Sequence, residues 1–229
     1  HDFRRMVLEG DTHDDILLQN VHPATWKNPT PAGKYNLVVI GAGTAGLVSA
    51  VGSAGLGAKV AIIERALMGG DCLNYGCVPS KAMIAAGRRA HIMRTSGPFG
   101  IAPATPVIDP AAVRAHVQGV IAAIAPNDSV ERFTGLGVQV IQAHARFVDA
   151  GTVIAGNARI KARRFVIATG SSPAVPPIPG LDKSPYFTNE TIFDSAERIG
   201  HLIVIGGGPI GMELAQAHVR LGARVTVLE

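Results

Sequence analysis

The sequence predicts an α/β fold in which helices cover parallel β-sheets. Two short apolar runs, at 35–40 and 201–205, predict strands, and the first has the β-branched composition of a strand buried on both faces of such a sheet. Each run leads directly into a glycine-rich turn and then a helical pattern, which is the arrangement of a βαβ unit. The whole pattern also occurs twice with the same internal spacing.

The composition is that of a globular protein without a nucleic-acid partner. Hydrophobic residues make up 47% of the chain and charged residues 17%. The net charge of +4 is spread over short pairs such as Arg88-Arg89 and Arg163-Arg164, without the basic stripe of a nucleic-acid surface. Aromatic residues, at 5%, are also few for stacking on bases.

We expect no membrane partner either. Residues 37–58 carry no charge and are long enough to cross a bilayer, but they are rich in Gly and Ala. A strand, a turn and a helix explain this stretch better. The N-terminus has no signal-peptide pattern, so the expected location is cytoplasmic.

Changes of pattern divide the chain into four segments. Residues 1–33 are polar and proline-marked, and we expect an N-terminal arm with one short helix. Residues 34–172 would form a first nucleotide-binding domain. The proline-rich stretch after residue 172 is unsuited to a central strand or helix, so 173–199 is expected to be a linker. Residues 200–229 would begin a second nucleotide-binding domain.

Between the two apolar runs, local patterns predict one long helix and a small antiparallel β-meander. Asp109-Pro110 supplies an N-cap and a first-turn proline for a helix with one buried face. The stretches 138–147 and 152–160 suit antiparallel strands with a tight turn at Gly156-Asn157. Residues 165–170 return to the buried-strand type.

An internal repeat supports two nucleotide-binding units. A shift of 165 residues carries the three glycines of one GxGxxG fingerprint, the glycine that ends its helix and the acid that ends its second strand onto a second copy. The matched positions are Gly41 with Gly206, Gly43 with Gly208, Gly46 with Gly211, Gly57 with Gly222, and Glu64 with Glu229. Two complete copies are much stronger evidence than a single fingerprint.

Each repeated residue type has a physical role in binding a dinucleotide to a Rossmann-like fold. The first glycine permits the tight turn, the second lets the backbone approach a pyrophosphate, and the third lets helix and strand pack closely. The pyrophosphate charge meets the positive N-terminus of the helix. The acid that follows about 20 residues later can accept hydrogen bonds from ribose hydroxyls. Glycines that serve packing alone are the alternative explanation.

The two cysteines of the chain, Cys72 and Cys77, lie between a Gly-Gly turn and an apolar helical pattern. Two cysteines cannot build a disulfide scaffold, so we expect a catalytic or metal-binding pair. The helix predicted to start at 78–80 would place both thiols at its N-terminal side, where the helix dipole favours a thiolate. A zinc site would need a second Cys or His pair at ligand spacing, and none is evident. A pair of unreactive buried thiols is the other alternative.

Taken together, these motifs resemble the class I pyridine nucleotide–disulfide oxidoreductases, flavoenzymes that include dihydrolipoamide dehydrogenase, glutathione reductase and mercuric reductase. The resemblance covers roughly residues 34–229. It rests on GAGTAG at 41–46, GGDCLNYGCVPSK at 69–81, ATG at 168–170, VPPIPG at 175–180 and GGGPIGMELA at 206–215. The segments 20–23 and 188–191 are most similar to the mercuric-reductase-like branch.

The resemblance implies FAD at the first fingerprint and NAD(P)H at the second. The residues expected to contact FAD are Gly41, Gly43, Gly46, Glu64, Gly70, Asp71, Ala145, Thr169 and Gly170. Those expected to contact the nicotinamide cofactor are Gly206, Gly208, Gly211 and Glu229. Glu229 favours NADH, because an acid at this place repels the 2′-phosphate of NADPH.

The resemblance also implies a catalytic set and an electron path from NAD(P)H through FAD to the cysteine pair and then to a disulfide, a thiol adduct or a metal ion. Cys77 would lie against the flavin, and Cys72 would exchange with the substrate. Lys81, one helical turn beyond Cys77, would approach the flavin, and Glu213 would pair with it. A surface lysine and an ordinary first-turn acid are the simpler explanations of these last two residues.

The family pattern continues well beyond Glu229, so the resemblance implies that both nucleotide domains are incomplete here. We therefore expect the front part of a longer, homodimeric enzyme, inactive by itself. A non-catalytic flavin-binding or redox-sensing module is the main alternative. A flavin monooxygenase or amine oxidase would share the first fingerprint but would not account for the cysteines. Whether the substrate is lipoamide, a glutathione-type disulfide or mercury stays open.

Overall fold

The computed structural model describes residues 12–229, which form two compact units. The first unit comprises the residues up to Asn74 together with Ile121–Ser172, and the second comprises Tyr75–Val120 together with Pro173–Glu229. Of the arm expected over 1–33, residues 1–11 lie outside the described part, and a short helix follows at Thr12–Val21. The four segment boundaries expected from the sequence stay predictions.

Seven α-helices and eight strands are found within residues 12–229, and they are joined by short 3₁₀ turns and loops. In chain order they are α1 (Thr12–Val21), β1 (Lys34–Ile40), α2 (Thr44–Gly55), β2 (Val60–Glu64), α3 (Gly70–Asn74), α4 (Cys77–Thr95), α5 (Pro110–Ile124), α6 (Val130–Gly135), β3 (Val138–Gln142), β4 (Ala145–Asp149), β5 (Thr152–Ala155), β6 (Ala158–Ile167), β7 (His201–Ile205), α7 (Pro209–Arg220) and β8 (Arg224–Leu228).

The first unit is built on a six-stranded sheet with the strand order β3-β2-β1-β6-β5-β4. The strands β3, β2, β1 and β6 are parallel, with Val39 of β1 opposite Ile62 on one side and Val166 on the other. The strands β4, β5 and β6 form an antiparallel meander. This arrangement confirms the predicted Rossmann-like α/β fold with its small meander.

The core of this unit lies along the central strands. All five residues of β2 are buried, as expected for a strand covered on both faces. Val38, Ile63 and Ile160 belong to one continuous apolar cluster, which joins the parallel strands to the meander. Because these central strands are buried, they hold in place the end of β1 at which the first glycine-rich turn begins.

Two details of the predicted strand pattern are wrong. The stretch 138–147 is not one antiparallel strand, because its first half, β3, is largely buried and pairs in parallel with β2. The half-exposed antiparallel strand β4 begins only at Ala145. The runs at 158–160 and 165–167 are also one continuous strand, since β6 pairs with β5 through its first half and with β1 through its second.

The second unit contains a two-stranded parallel sheet, β7 and β8, with α7 as the connecting helix. The long helix α4 packs against α7. Where α4 faces α7, a Cβ added to Gly87 would lie 3.1 Å from the carbonyl oxygen of Ala217, so a larger residue would require the helices to give by a few tenths of an ångström. Arg94 of α4 also donates to the carbonyl of Arg220 at 2.6 Å.

The cap predicted for α5 is present, because Oδ1 of Asp109 accepts hydrogen bonds from the N–H groups of Ala111 and Ala112 at 2.9 and 3.3 Å. Across residues 12–229, none of the helices has both the length and the apolar character needed to cross a membrane.

Candidate functional site

The first fingerprint forms the turn between β1 and α2. Gly41 has a φ of 101°, and a Cβ at this position would clash with the carbonyl oxygen of Ala168, so both the conformation and the space require glycine. Gly46 lies against the carbonyl oxygen of Gly41, which brings α2 close to the end of β1. Gly43 is the N-cap of α2, and no side chain caps this helix.

Glu64 ends β2 and lies beside this turn. Its carboxylate is buried and accepts two backbone hydrogen bonds, from the N–H of Ala42 to Oε2 at 2.6 Å and from the N–H of Ala66 to Oε1 at 2.8 Å. Ala42 stands between the first two fingerprint glycines, so the acid is fixed to the turn itself. A carboxylate held in this way needs no counter-charge to be buried, because the backbone donors satisfy it.

The second fingerprint reproduces this geometry in the second unit. Gly206 has a φ of 108°, Gly208 is the N-cap of α7 without a side-chain cap, and Gly211 lies against the carbonyl oxygen of Gly206. The carboxylate of Glu229 accepts a hydrogen bond from the N–H of Gly207, the residue that matches Ala42 in the repeat. The predicted repeat is therefore a repeat of structure, and it includes the hydrogen bond between the acid and the turn.

Both turns fit a dinucleotide. In each, an uncapped helix N-terminus follows a strand, side chains are absent at the fingerprint glycines, and a carboxylate is fixed at the end of the next strand. The first two features suit a pyrophosphate, and the third suits a ribose diol.

The glycine turn that precedes the cysteines is in backbone contact with the first fingerprint. The N–H of Gly69 donates to the carbonyl of Ala42 at 2.9 Å, and Gly69 forms a parallel bridge with Gly43. Gly70 has a φ of 55°, and a Cβ there would approach the Cα of Gly43 to 2.6 Å. The two glycine-rich motifs are thus in backbone contact, and Asp71, exposed in the first turn of α3, follows at once.

The cysteines lie on two different helices. Cys72 is half-buried within the short helix α3, and Cys77 is exposed and begins α4. The helix start predicted around 78–80 is correct to within one residue, and Cys77 lies in its first turn.

Lys81 and Glu213 are brought together in the second unit. Nζ of Lys81, in the second turn of α4, lies 2.6 Å from Oε2 of Glu213 in α7. Both side chains are substantially exposed, so this ion pair is screened by solvent and contributes little to stability. The pairing matches the expectation from the sequence, while the roles of the two residues stay predictions.

The remaining predicted flavin contacts are distributed around the first unit. Thr169 and Gly170 follow β6, and the Cα of Thr169 lies 3.2 Å from the position that a Cβ of Gly41 would take. They therefore lie at the fingerprint turn. Ala145 opens β4 opposite Ala155 and packs against the apolar core.

Sequence reasoning missed the contacts that the N-terminal arm makes with this unit. Nδ1 of His22 donates to the carbonyl of Ala66 at 2.7 Å, and Nε1 of Trp26 donates to the carbonyl of Val140 at 3.3 Å. The side-chain amide of Asn28 exchanges two hydrogen bonds with the backbone of Gln142, at 2.7 and 2.9 Å. The clustering of His, Trp and Asn in an otherwise irregular segment was the available signal.

His218 was also missed. Its side chain in α7 is 6% exposed, lines a cavity of about 60 Å³ and donates from Nδ1 to the carbonyl of Leu214 at 2.8 Å. Burial lowers the pKa of His218, and the hydrogen bond to Leu214 offsets part of that shift.

Among residues 12–229, no group of three or more His, Cys, Asp or Glu side chains is placed to hold a metal ion. The cysteine pair therefore does not belong to a larger cluster of such side chains within the described chain.

Two turns that fit a dinucleotide, with a cysteine pair on the helices that follow the first, are typical of nucleotide-dependent thiol–disulfide proteins. The family model for pyridine nucleotide-disulphide oxidoreductases matches residues 35–229. The chain therefore belongs to the pyridine nucleotide–disulphide oxidoreductase family, as the resemblance in the sequence had indicated.

Similar proteins include mercuric reductases. The chain is 36% identical to the mercuric reductase of Lysinibacillus sphaericus over 195 residues, which are 85% of this chain and 36% of that protein. It is 41% identical to the mercuric reductase of Shigella flexneri over 209 residues, which are 86% of this chain and 36% of that protein. The chain thus spans little more than a third of the length of these curated relatives.

A solved structure is similar in fold. The HOCl-induced flavoprotein disulfide reductase RclA from Escherichia coli superposes with a TM-score of 0.70 at 29% identity, over 85% of this chain and 42% of that one. The Cu(II) complex of the same reductase gives a TM-score of 0.71.

Proposed function

We propose that this chain carries the flavin site and the redox-active thiols of an FAD-dependent NAD(P)H:disulfide oxidoreductase. The observation that carries the proposal is the backbone contact between the Gly69-Gly70 turn and the first fingerprint at Ala42 and Gly43. This contact ties the start of the cysteine motif to the turn that fits a dinucleotide.

The residues that would hold FAD are those of the first turn. The uncapped N-terminus of α2 supplies backbone donors for the pyrophosphate, and Glu64 supplies a fixed acceptor for the adenosine ribose. When bound, FAD would supply two-electron chemistry between a reduced nicotinamide and the cysteine pair. The family membership supports FAD and NAD(P)H as the two cofactors.

The cysteines would perform the exchange with substrate. In the dithiol form, the Cys72 thiolate attacks one sulfur of a substrate disulfide, forms a mixed disulfide and releases one substrate thiol. The Cys77 thiolate then attacks the sulfur of Cys72, which releases the second thiol and forms the Cys72–Cys77 disulfide. The substrate gains two electrons and two protons, and the cysteine pair loses them. The mercuric reductases among the relatives favour a thiol-bound metal ion as the alternative substrate.

Lys81 and Glu213 would adjust the charge near the thiols. Lys81 is four residues after Cys77 in α4, so both project from the same side of the helix. The ammonium group of Lys81 favours a thiolate, and the 2.6 Å contact with Glu213 fixes its position.

The second fingerprint favours an enzyme over a flavin-binding redox sensor, because a sensor does not need a second complete nucleotide turn. The acid Glu229, hydrogen-bonded to Gly207, favours NADH over NADPH. A homodimeric parent enzyme and a cytoplasmic location complete the proposal. If Glu229 selects the cofactor in this way, NADH should bind more tightly than NADPH in a fluorescence titration.

The decisive experiment counts electrons. The chain is loaded with FAD, oxidised mildly, desalted and titrated anaerobically with dithionite. The wild-type chain should consume twice as many reducing equivalents per flavin as either Cys72→Ser or Cys77→Ser, because a disulfide and a flavin each accept an electron pair. Equal consumption by all three proteins would contradict the proposal.

A further inference from the structure

The N-terminal arm reaches the first nucleotide turn through a chain of hydrogen bonds. Leu17 and Val21 of α1 are buried, and α1 packs against α6 and the 3₁₀ turn at Ala125–Asp128. The arm then continues along the edge strand β3. There Trp26 and Asn28 bond to backbone groups that face away from β2. The arm is therefore held in a fixed register on this unit.

The end of α1 contacts the loop between β2 and α3. Nδ1 of His22 donates to the carbonyl of Ala66 at 2.7 Å, and the N–H of Met68 donates to the carbonyl of Val21 at 3.3 Å. This loop runs from Glu64 to the Gly69-Gly70 turn, so its position affects both the ribose acid and the start of the cysteine motif.

The peptide groups of Ala66 link His22 to Glu64. The carbonyl of Ala66 accepts from His22, while its N–H donates to Oε1 of Glu64 at 2.8 Å. The other carboxylate oxygen of Glu64 accepts from the N–H of Ala42 at 2.6 Å. A shift of Ala66 would therefore move the carboxylate of Glu64, which is the proposed acceptor for the ribose hydroxyls.

We propose that His22 is a positioning residue for the FAD site, acting through the Ala66 backbone on the carboxylate of Glu64. The inference rests on the proposed flavin function. His22 itself need not touch the cofactor, because the hydrogen bonds through Ala66 carry its effect.

The test measures FAD affinity by quenching of flavin fluorescence in the 229-residue chain. His22→Leu should weaken FAD binding by about five- to tenfold, the loss expected when one partly buried hydrogen bond is removed. His22→Asn places an amide donor near the position of Nδ1 and should restore affinity to within about twofold of wild type. Wild-type affinity in His22→Leu would overturn the inference.

A double-mutant cycle separates positioning from general destabilisation. In the Glu64→Ala background, His22→Leu should cause no further loss of FAD affinity, because the carboxylate through which it acts is gone. An equal loss in both backgrounds would overturn the positioning role. Asn28→Ala is the matched control. It loosens the same arm at β3, and once folded it should bind FAD like wild type.

Amide hydrogen exchange of the ligand-free chain provides a readout independent of FAD. His22→Leu should speed exchange at Ala66 and Ala42, and Asn28→Ala should not. If this exchange pattern is seen but the wild-type chain does not bind FAD, the proposed function is contradicted. The hydrogen-bond link from His22 to Glu64 is then still supported. Unchanged exchange at both amides would overturn the link itself. His22→Ala takes the place of His22→Leu if the leucine variant does not fold.

Discussion

The two βαβ units of this chain share a turn but differ in their surroundings. Both have a glycine with a φ near 100° after the first strand and an acid bonded to the backbone of the next residue. The first turn lies in a six-stranded sheet, where Glu64 is buried and accepts two hydrogen bonds. The second lies in a two-stranded sheet with largely exposed strands. The local sequence therefore sets the shape of the turn, and the surrounding sheet sets how strongly it is held.

The largest difference is expected from an alanine at the first fingerprint glycine. In both units the positive φ strains any residue with a Cβ. Only at Gly41 would the Cβ also clash with the Ala168 backbone, whereas at Gly206 it meets nothing within 4 Å. Gly41→Ala should cost about 3 kcal/mol of unfolding free energy or more, and Gly206→Ala about 1 to 2 kcal/mol. Urea unfolding of the two variants measures these losses of unfolding free energy. Equal losses would contradict the predicted difference between the two turns.

The two acids should differ next. Glu64→Ala removes a buried acceptor from two backbone donors, and we expect a loss of about 2 kcal/mol in stability together with weaker FAD binding. Glu229 is exposed, so Glu229→Ala should change stability by less than about 0.5 kcal/mol and weaken NADH binding alone. Isothermal titration with each nucleotide separates the two. Loss of FAD affinity in Glu229→Ala would contradict the assignment.

His218 has no titratable counterpart in the first unit, where Ser53 occupies the matching position. Because burial lowers the pKa of His218, the unfolded chain binds a proton more readily than the folded one. Stability should therefore be complete well above the unfolded pKa of about 6.5 and decline as the pH falls below it. His218→Phe should flatten this decline in urea unfolding curves measured across that range. A decline of the same steepness in the variant would count against the assignment.

A small effect on stability is also expected from the ion pair in the second unit. Lys81 and Glu213 are 60% and 44% exposed, so a double-mutant cycle with alanine should give a coupling of about 0.5 kcal/mol. The proposed function places the effect of Lys81 on the thiols, so Lys81→Met should slow alkylation of Cys77 far more than it changes stability. Glu213→Gln, which removes the charged partner but keeps Lys81, is the control variant for the ion pair. An unchanged rate of Cys77 alkylation in Lys81→Met would contradict the proposed role of Lys81.

The sequence predicted the parts of the molecule whose signals are local. Glycine spacing, the acids and the start of α4 near the cysteines follow from rules about turns and helix ends, and the structure has them where expected. The parallel pairing of β3 was missed because a short apolar run is compatible with either pairing direction. The contacts of His22 and Asn28 were missed because they join residues 44 and 114 positions apart, and no periodicity marks them.

The close approach of α4 and α7 at Gly87 has a mechanical consequence. Because the helix backbones lie so close at Gly87, we expect a rotation or slide of one helix to displace the other. The helix that begins with Cys77 and the helix that begins at Pro209 would then shift together. A displacement at Pro209, where α7 starts, would thereby reach the thiol-bearing helix. Gly87→Val would wedge the two helices apart and uncouple these movements.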